Sequence, residues 1–333
     1  MTNDFKLPPY KVEDVVSTLA QATGWGIKQL NVPVTWTVTQ GEGITVLVLD
    51  TGCSYHPDLS NTIILNKSKS FVPGEPSILD ENGHSTHCCG IIGASNNNMG
   101  MVGVAPGCKI ITGKVLGTGG SGSFKSIAEG LEYAIKIKPD VVSMSIGSSV
   151  SNSRMHKAIK KLYELNIPII AAAGNDGASN AVNYPGKYEE TICVTAFDAK
   201  GAPAGFNSTG DKVDFSAPGV DIYSTWLDNR YVKLSGTSMA TPFITGLVCL
   251  LLAKHKKQEK DTGKNDCKTV QQIKEHLIKY ADDKGIVGKD DIWGYGVIDP
   301  QRLIAETESI SIPQKKTLKN WFEKICIFVK SLF

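Results

Sequence analysis

Little in this sequence is extreme, and its absences set limits before any motif does. The net charge is only +2, from 35 Lys and Arg against 33 Asp and Glu, so no global field points to nucleic acid or an anionic membrane as partner. Eight cysteines in 333 residues are too sparse for a disulfide scaffold. None stands in a Cys-x-x-Cys pair, which argues against structural zinc and for small buried thiols in a reducing compartment. No uninterrupted apolar run reaches the ~18 residues of a membrane span. The longest, residues 243–253, would cross about half a bilayer, so no spanning helix is expected. Residues 1–11 carry charges and two prolines where a secretory signal needs an apolar stretch. The expected location is therefore cytoplasmic. What remains, 41% hydrophobic and 20% charged residues, suits one large or two ordinary globular domains and excludes disorder, collagen and coiled coil as the overall class.

Short β-branched runs at 44–49, 109–116, 141–146, 167–173 and 191–196 alternate with amphipathic segments at 123–136 and 154–165. That alternation predicts an α/β fold whose central, mostly parallel sheet is covered by helices on both faces. Ligand sites in such sheets sit at the carboxyl ends of strands, where the Gly-rich stretches 117–122 and 174–177 fall. An apolar helix ends near Ala253, and the polar run 254–266 reads as a solvated loop. Residues 270–281 have helical spacing, and 293–298 read as a Gly-punctuated aromatic strand. From 309 to 333, Leu318, Trp321, Phe322, Ile325 and Val329 recur at steps of three and four among lysines. This predicts a basic amphipathic helix that packs on its own domain, mediates self-association as a homodimer, or rests on a membrane surface or partner.

Four segments place chemistry-bearing residues in Gly-flanked settings. Asp50 ends the first strand before Thr51-Gly52; such an Asp is a turn cap or an orienting carboxylate. His84 opens a small-residue helix in Gly83-His84-Ser85-Thr86-His87, where structural, general-base and metal-pair readings all stand, although the Glu of the zinc-protease motif is missing. Ser238, in Gly236-Thr237-Ser238-Met239-Ala240-Thr241-Pro242, is a helix cap or a nucleophile at the positive end of a helix dipole. Three candidate caps, Ser235, Thr237 and Ser238, crowd the four residues 235–238, and Pro242 is expected in the first turn, where its missing N–H is harmless. Asn175, after Ala172-Ala173-Gly174, is a turn residue or an amide donor to a developing oxyanion.

Taken in chain order, these motifs resemble the subtilisin family of serine proteases over residues 20–305, most closely the intracellular subtilisins. The resemblance implies the three-layer subtilisin fold in residues 19–308 and peptide hydrolysis through an acyl-enzyme. By it, Ser238 is the nucleophile, His84 the base and then acid, Asp50 its orienting carboxylate and Asn175 the oxyanion donor. Gly120-Ser121-Gly122 and Ser145-Ile146-Gly147 resemble the edges that pair an extended protein or peptide substrate. Ala172, Ala173 and Gly174 would line the first pocket, and Phe124, Ile127 and Ile146 a distal apolar one. No acidic residue appears among these segments, so apolar side chains are the expected preference. Ser95-Asn96-Asn97-Asn98-Met99-Gly100-Met101 is similar to the family's calcium loop. It implies a structural Ca2+ held by carbonyls of Ser95, Met99 and Met101 and side chains of Gln21, Asp58 and Asn97. Leu7-Pro8-Pro9-Tyr10 is similar to the Leu-Ile-Pro-Tyr element of intracellular subtilisins, implying that residues 1–18 form an inhibitory extension across the active site. Ser85 departs from the family's glycine and is expected to narrow the site. A dedicated precursor-processing protease and a non-catalytic binding protein are the two alternatives.

Overall fold

The computed structural model describes residues 5–7 and 20–305. In chain order the strands are β1 (Phe5–Lys6), β2 (Thr45–Asp50), β3 (Lys69–Ser70), β4 (Lys109–Lys114), β5 (Ser121–Gly122), β6 (Val141–Met144), β7 (Ile169–Ala172), β8 (Ile192–Phe197), β9 (Phe215–Pro218), β10 (Ile222–Thr225), β11 (Tyr231–Leu234), β12 (Ala281–Asp282) and β13 (Val297–Ile298). The α-helices are α1 (Trp25–Gln29), α2 (His84–Gly93), α3 (Phe124–Ile137), α4 (Ser153–Glu164), α5 (Thr237–Thr262) and α6 (Val270–Lys279).

Strand β2 shows why the layers form. Its alternate side chains point to opposite faces, and both sets are apolar. Val46 and Val48 join one core with Ile91 and Ile92 of α2 and Leu247 and Leu250 of α5. Leu47 and Leu49 join the other with Ile127 and Leu131 of α3 and Met155 and Ile159 of α4. Among the described residues a nine-stranded sheet runs β12-β13-β9-β8-β7-β6-β2-β4-β3, parallel throughout except for the β12–β13 edge. This is the expected three-layer architecture, and it aligns the carboxyl ends of β2, β6 and β7 at one rim.

Three local expectations change. The polar run after Ala253 is not a loop, because α5 continues to Thr262 and stops where Gly263 adopts φ +75°. Lys, Gln and Glu are good helix formers, so their polarity there reports exposure rather than irregular backbone. The expected strand 293–298 shrinks to Val297–Ile298, since Gly294 and Gly296 take positive φ (63° and 109°), which a strand does not hold. Pro242 lies in the sixth residue of α5, beyond the first turn. Lacking an N–H, it leaves the carbonyl of Ser238, four residues earlier, without a helical donor. Through this longer helix, α5 has the length and apolarity to cross a membrane, but 94% of its apolar stretch is buried within the fold. Residues 309–333, Pro8, Pro9 and Tyr10 lie outside the described residues.

Candidate active site

Four elements converge at the rim. Asp50 is the last residue of β2 and His84 the first of α2, both fully buried. His84 Nδ1 lies 2.9 and 3.0 Å from the two carboxylate oxygens of Asp50. Ser238 is the second residue of α5 and 2% exposed; its hydroxyl donates to the carbonyl of Ser145 at 3.2 Å. The carbonyl of Ser238 that Pro242 releases is taken up by Ser145 Oγ at 2.9 Å and Cys88 Sγ at 3.5 Å. Cys88 Sγ also lies 3.9 Å from His84 Nδ1, so this thiol touches both the histidine and the serine residue.

None of the three candidate hydroxyls caps α5. Its N-cap is Gly236, without a side-chain bond, and Asn175 Oδ1 instead accepts from Thr237 N at 3.0 Å and Thr237 Oγ1 at 2.8 Å. That pair fixes which end of the amide is oxygen and leaves the Nδ2 end as donor beside the nucleophile's helix.

The start of α2 is held by a residue the sequence reading passed over. Asp80, 2% exposed, accepts from Thr51 Oγ1 at 2.9 Å, Asn82 N at 3.0 Å and Gly83 N at 2.9 Å through Oδ1. Through Oδ2 it accepts from Thr86 N at 2.9 Å and Thr86 Oγ1 at 2.7 Å. It thereby ties the loop after β2 to the first turn carrying His84. Gly83 must be glycine, because its φ is +99° and a Cβ there would stand 2.5 Å from the Trp226 ring. Ser85, expected to narrow the site, turns the other way: it is buried and donates to the carbonyl of Gly52 at 2.6 Å. His87 does not form a metal pair with His84, because its Nε2 lies 3.0 and 3.2 Å from the carbonyls of Ile222 and Val232.

Burial disfavours a charged imidazole at His84, but the Asp50 carboxylate outweighs it, with Cys88 adding to the effect, and holds the group well above its ordinary value. His87, buried without an anion and beside His84, is pushed down to about 3.

Beside these groups runs a cleft already carrying a strand. β1 pairs antiparallel with β5, Phe5 opposite Gly122 and Lys6 opposite Ser121. On its other edge, Lys6 N donates to Gly147 O at 3.3 Å and accepts at its own carbonyl from Gly147 N at 3.4 Å. Leu7 N donates to Gly120 O at 2.9 Å. Phe5, which the sequence reading did not single out, is fully buried; its ring lies edge-on to Phe124 with centroids 5.3 Å apart and shares a core with Ile127 and Ile146. Ala172 and Ala173 are buried at the end of β7, and Ala173 packs on Val182, Cys193 and Val213. Gly174 follows at φ +111°.

The predicted calcium residues also converge. Asp58 is fully buried and makes no ion pair among the described residues. It accepts from Met101 N at 2.8 Å, Asn97 Nδ2 at 3.1 Å and Tyr231 Oη at 2.8 Å. Gln21 Nε2 donates to Ser95 O at 3.2 Å, while its Oε1 accepts from Asn98 N at 3.1 Å. The Asp58 carboxylate here faces N–H and O–H donors, but the group as a whole offers one carboxylate, two side-chain amides and backbone carbonyls, the oxygen donor class a hard dication takes, so these residue types fit the ion.

Comparison with known proteins bears on the same segments. Residues 41–296 match the subtilase family. The chain is 38% identical to subtilisin Savinase of Lederbergia lenta over 283 residues, 85% of this chain and 98% of that protein. It is 38% identical to M-protease of Shouchella clausii over 294 residues, 88% of this chain and 73% of that one. It is 37% identical to minor extracellular protease Epr of Bacillus subtilis over 298 residues, 89% of this chain but only 43% of the relative.

Proposed function

This chain belongs to the subtilase family and is a subtilisin-like serine endopeptidase, and we propose that it is made inside the cell as a precursor that its own amino-terminal segment holds inactive. The observation that carries the second half of this reading is β1, a piece of the same chain hydrogen-bonded along both edges of the cleft with Phe5 buried in the distal apolar pocket. An extended strand between two edges is how a peptide substrate is bound. After Leu7 the chain continues with Pro8 and Pro9, whose rings fix φ and remove the donors that would carry the pairing onward. The segment is thus bound as a substrate is but presented poorly for attack. A trimmed chain that hydrolyses peptides no faster than the full-length one would exclude this.

In the proposed mechanism Ser238 Oγ turns from the Ser145 carbonyl to His84, which takes its proton as Oγ attacks the peptide carbonyl. Asp50 holds the imidazole in the required tautomer and stabilises its charged form. The tetrahedral oxyanion receives hydrogen bonds from Asn175 Nδ2 and the Ser238 N–H, donors fixed before reaction and helped by the positive end of α5. Collapse leaves an acyl-enzyme while His84 gives its proton to the departing amine; water then reverses the sequence. Because the base must be neutral and His84 is held above its ordinary value, kcat/KM is expected to rise with pH along a limb lying above about 6.5. A pH profile of the trimmed enzyme measures this, and a limb at or below that value would contradict the tight Asp50 pairing.

Gln21, Asp58, Ser95, Asn97, Met99 and Met101 would hold Ca2+, which supplies positive charge beside the buried Asp58 and fastens residues 21–22 to the 95–101 loop. Chelation is expected to lower the thermal midpoint by several degrees, about 1 to 2 kcal/mol in a domain this large. An unchanged midpoint in differential scanning calorimetry would mean the loop holds itself. The pocket filled by Phe5 points to large apolar side chains at the matching position of substrates. A peptide library cleaved by the trimmed enzyme should show that selection, whereas preference for Asp or Lys there would oppose it.

A further inference from the structure

The extension of α5 beyond Ala253 brings three metal-type side chains together on the opposite end of the helix from the nucleophile. His255, from α5, is 4% exposed; Cys267, from the α5–α6 connection, is 4% exposed; His276, from α6, is half-buried. One ligand atom from each lies within 4.8 Å of the other two. Seventeen residues of helix separate His255 from Ser238, about 25 Å, so the cluster has no part in peptide hydrolysis and the inference does not rest on that reading. The comparable cluster of Asp50, His84 and Cys88 belongs to the active site already described.

We infer that His255, Cys267 and His276 form a binding site for a divalent ion of borderline softness, Zn2+ above all, that staples α5 to α6. The ligand set is two imidazoles and a thiolate, which suits zinc and excludes the hard ions that take oxygen ligands. The orientation of His276 matches a ligand as well. Its Nδ1 stands 2.9 Å from the carbonyl of Gln272; a carbonyl can only accept, so Nδ1 carries the proton and Nε2 presents its lone pair. A backbone acceptor behind the ring is the usual support of a metal-bound histidine. Cys267 is likewise set in place, its N–H donating to Asn265 Oδ1 at 2.8 Å. Cys267 borders a surface cavity of about 440 Å³ that also touches Lys256, Glu259 and Lys268, giving an ion a way in from the thiol side. On binding, the S–H bond of Cys267 breaks, an S–Zn bond forms and the proton passes to solvent. In the sequence this site is invisible, because eleven and eight residues intervene between the ligands and the first of them sits in a run that reads as loop.

The test uses the full-length chain with Ser238→Ala to prevent self-digestion, stripped with chelator and kept in calcium. One equivalent of Zn2+ should remain bound after gel filtration, as measured by plasma mass spectrometry, and should raise the thermal midpoint. Co2+ should give the intense visible bands of a tetrahedral site and a near-ultraviolet thiolate band. Cys267→Ser and, separately, His276→Gln should each weaken Zn2+ binding at least 100-fold while leaving the metal-free midpoint nearly unchanged. Less than a tenth of an equivalent bound, or binding that survives both substitutions because the ion sits at Cys88 or elsewhere, would overturn the site.

Discussion

Ser238→Ala is expected to lower kcat for peptide hydrolysis on the order of a million-fold, the scale on which loss of a triad nucleophile is felt, with little change in stability. The two halves of that expectation have separate physical grounds. The other hydroxyl at the start of α5, that of Thr237, is tied to Asn175 Oδ1 at 2.8 Å, so it does not replace the attacking oxygen. The fold, by contrast, leans on the backbone of Ser238, whose carbonyl takes Ser145 Oγ and Cys88 Sγ. Its hydroxyl adds one hydrogen bond, 3.2 Å long, to the Ser145 carbonyl, and such a bond contributes only about 1 kcal/mol. Initial rates on a chromogenic peptide and a thermal melt of the same preparation measure both. Turnover within tenfold of the parent would remove Ser238 from the chemistry, and an unfolded variant would show that the hydroxyl holds more than this geometry allows.

The second large effect is expected at Phe5. A fully buried phenylalanine side chain contributes about 1.5 to 3 kcal/mol through apolar burial, and Phe5→Asp adds the penalty of placing a charge against Phe124, Ile127 and Ile146. A synthetic peptide of residues 1–18 should therefore inhibit the trimmed enzyme competitively, and its Phe5→Asp form should inhibit at least 10 to 100 times more weakly. In the full-length chain the same substitution should raise initial activity before any trimming. Equal inhibition by the two peptides would mean that the backbone ladder with Gly120, Ser121 and Gly147 alone holds the strand. No inhibition by either would mean that β1 does not restrain the enzyme.

These effects fall on residues that differ in how plainly the sequence displays them. Asp50, His84, Asn175 and Ser238 were legible because each sits in a short motif at a strand end or helix start, and local sequence dictates both backbone and neighbours. Asp80 was not, because its meaning lies in five donors gathered from Thr51 and from residues 82–86, which only the folded loop assembles. Phe5 was passed over because one aromatic residue in a charged, proline-containing tail has no periodicity, and its burial depends entirely on a pocket over a hundred residues away. The mostly parallel sheet and its helical layers, though not the strand order, followed from apolar runs between amphipathic segments. The short strands β9 to β12 escaped because their pairing is set by tertiary contact rather than by patterned runs. The same local bias misread residues 254–262, where exposed polarity looked like a loop although the residue types favour helix. Pro242 shows the reverse case: placed in the first turn it would mean nothing, but one turn later it frees the carbonyl that binds Ser145 and Cys88 to the nucleophile.

The account stands on Ser238, His84 and Asp50 acting as one unit in a cleft that the amino-terminal strand covers. Covalent labelling with a fluorophosphonate, followed by peptide mass spectrometry, examines that unit directly. The account predicts one label per chain on Ser238 in the trimmed enzyme, slow labelling of the full-length precursor, and loss of labelling in His84→Ala. Labelling that proceeds at the same rate with alanine at position 84, or that falls on a different serine, would contradict it.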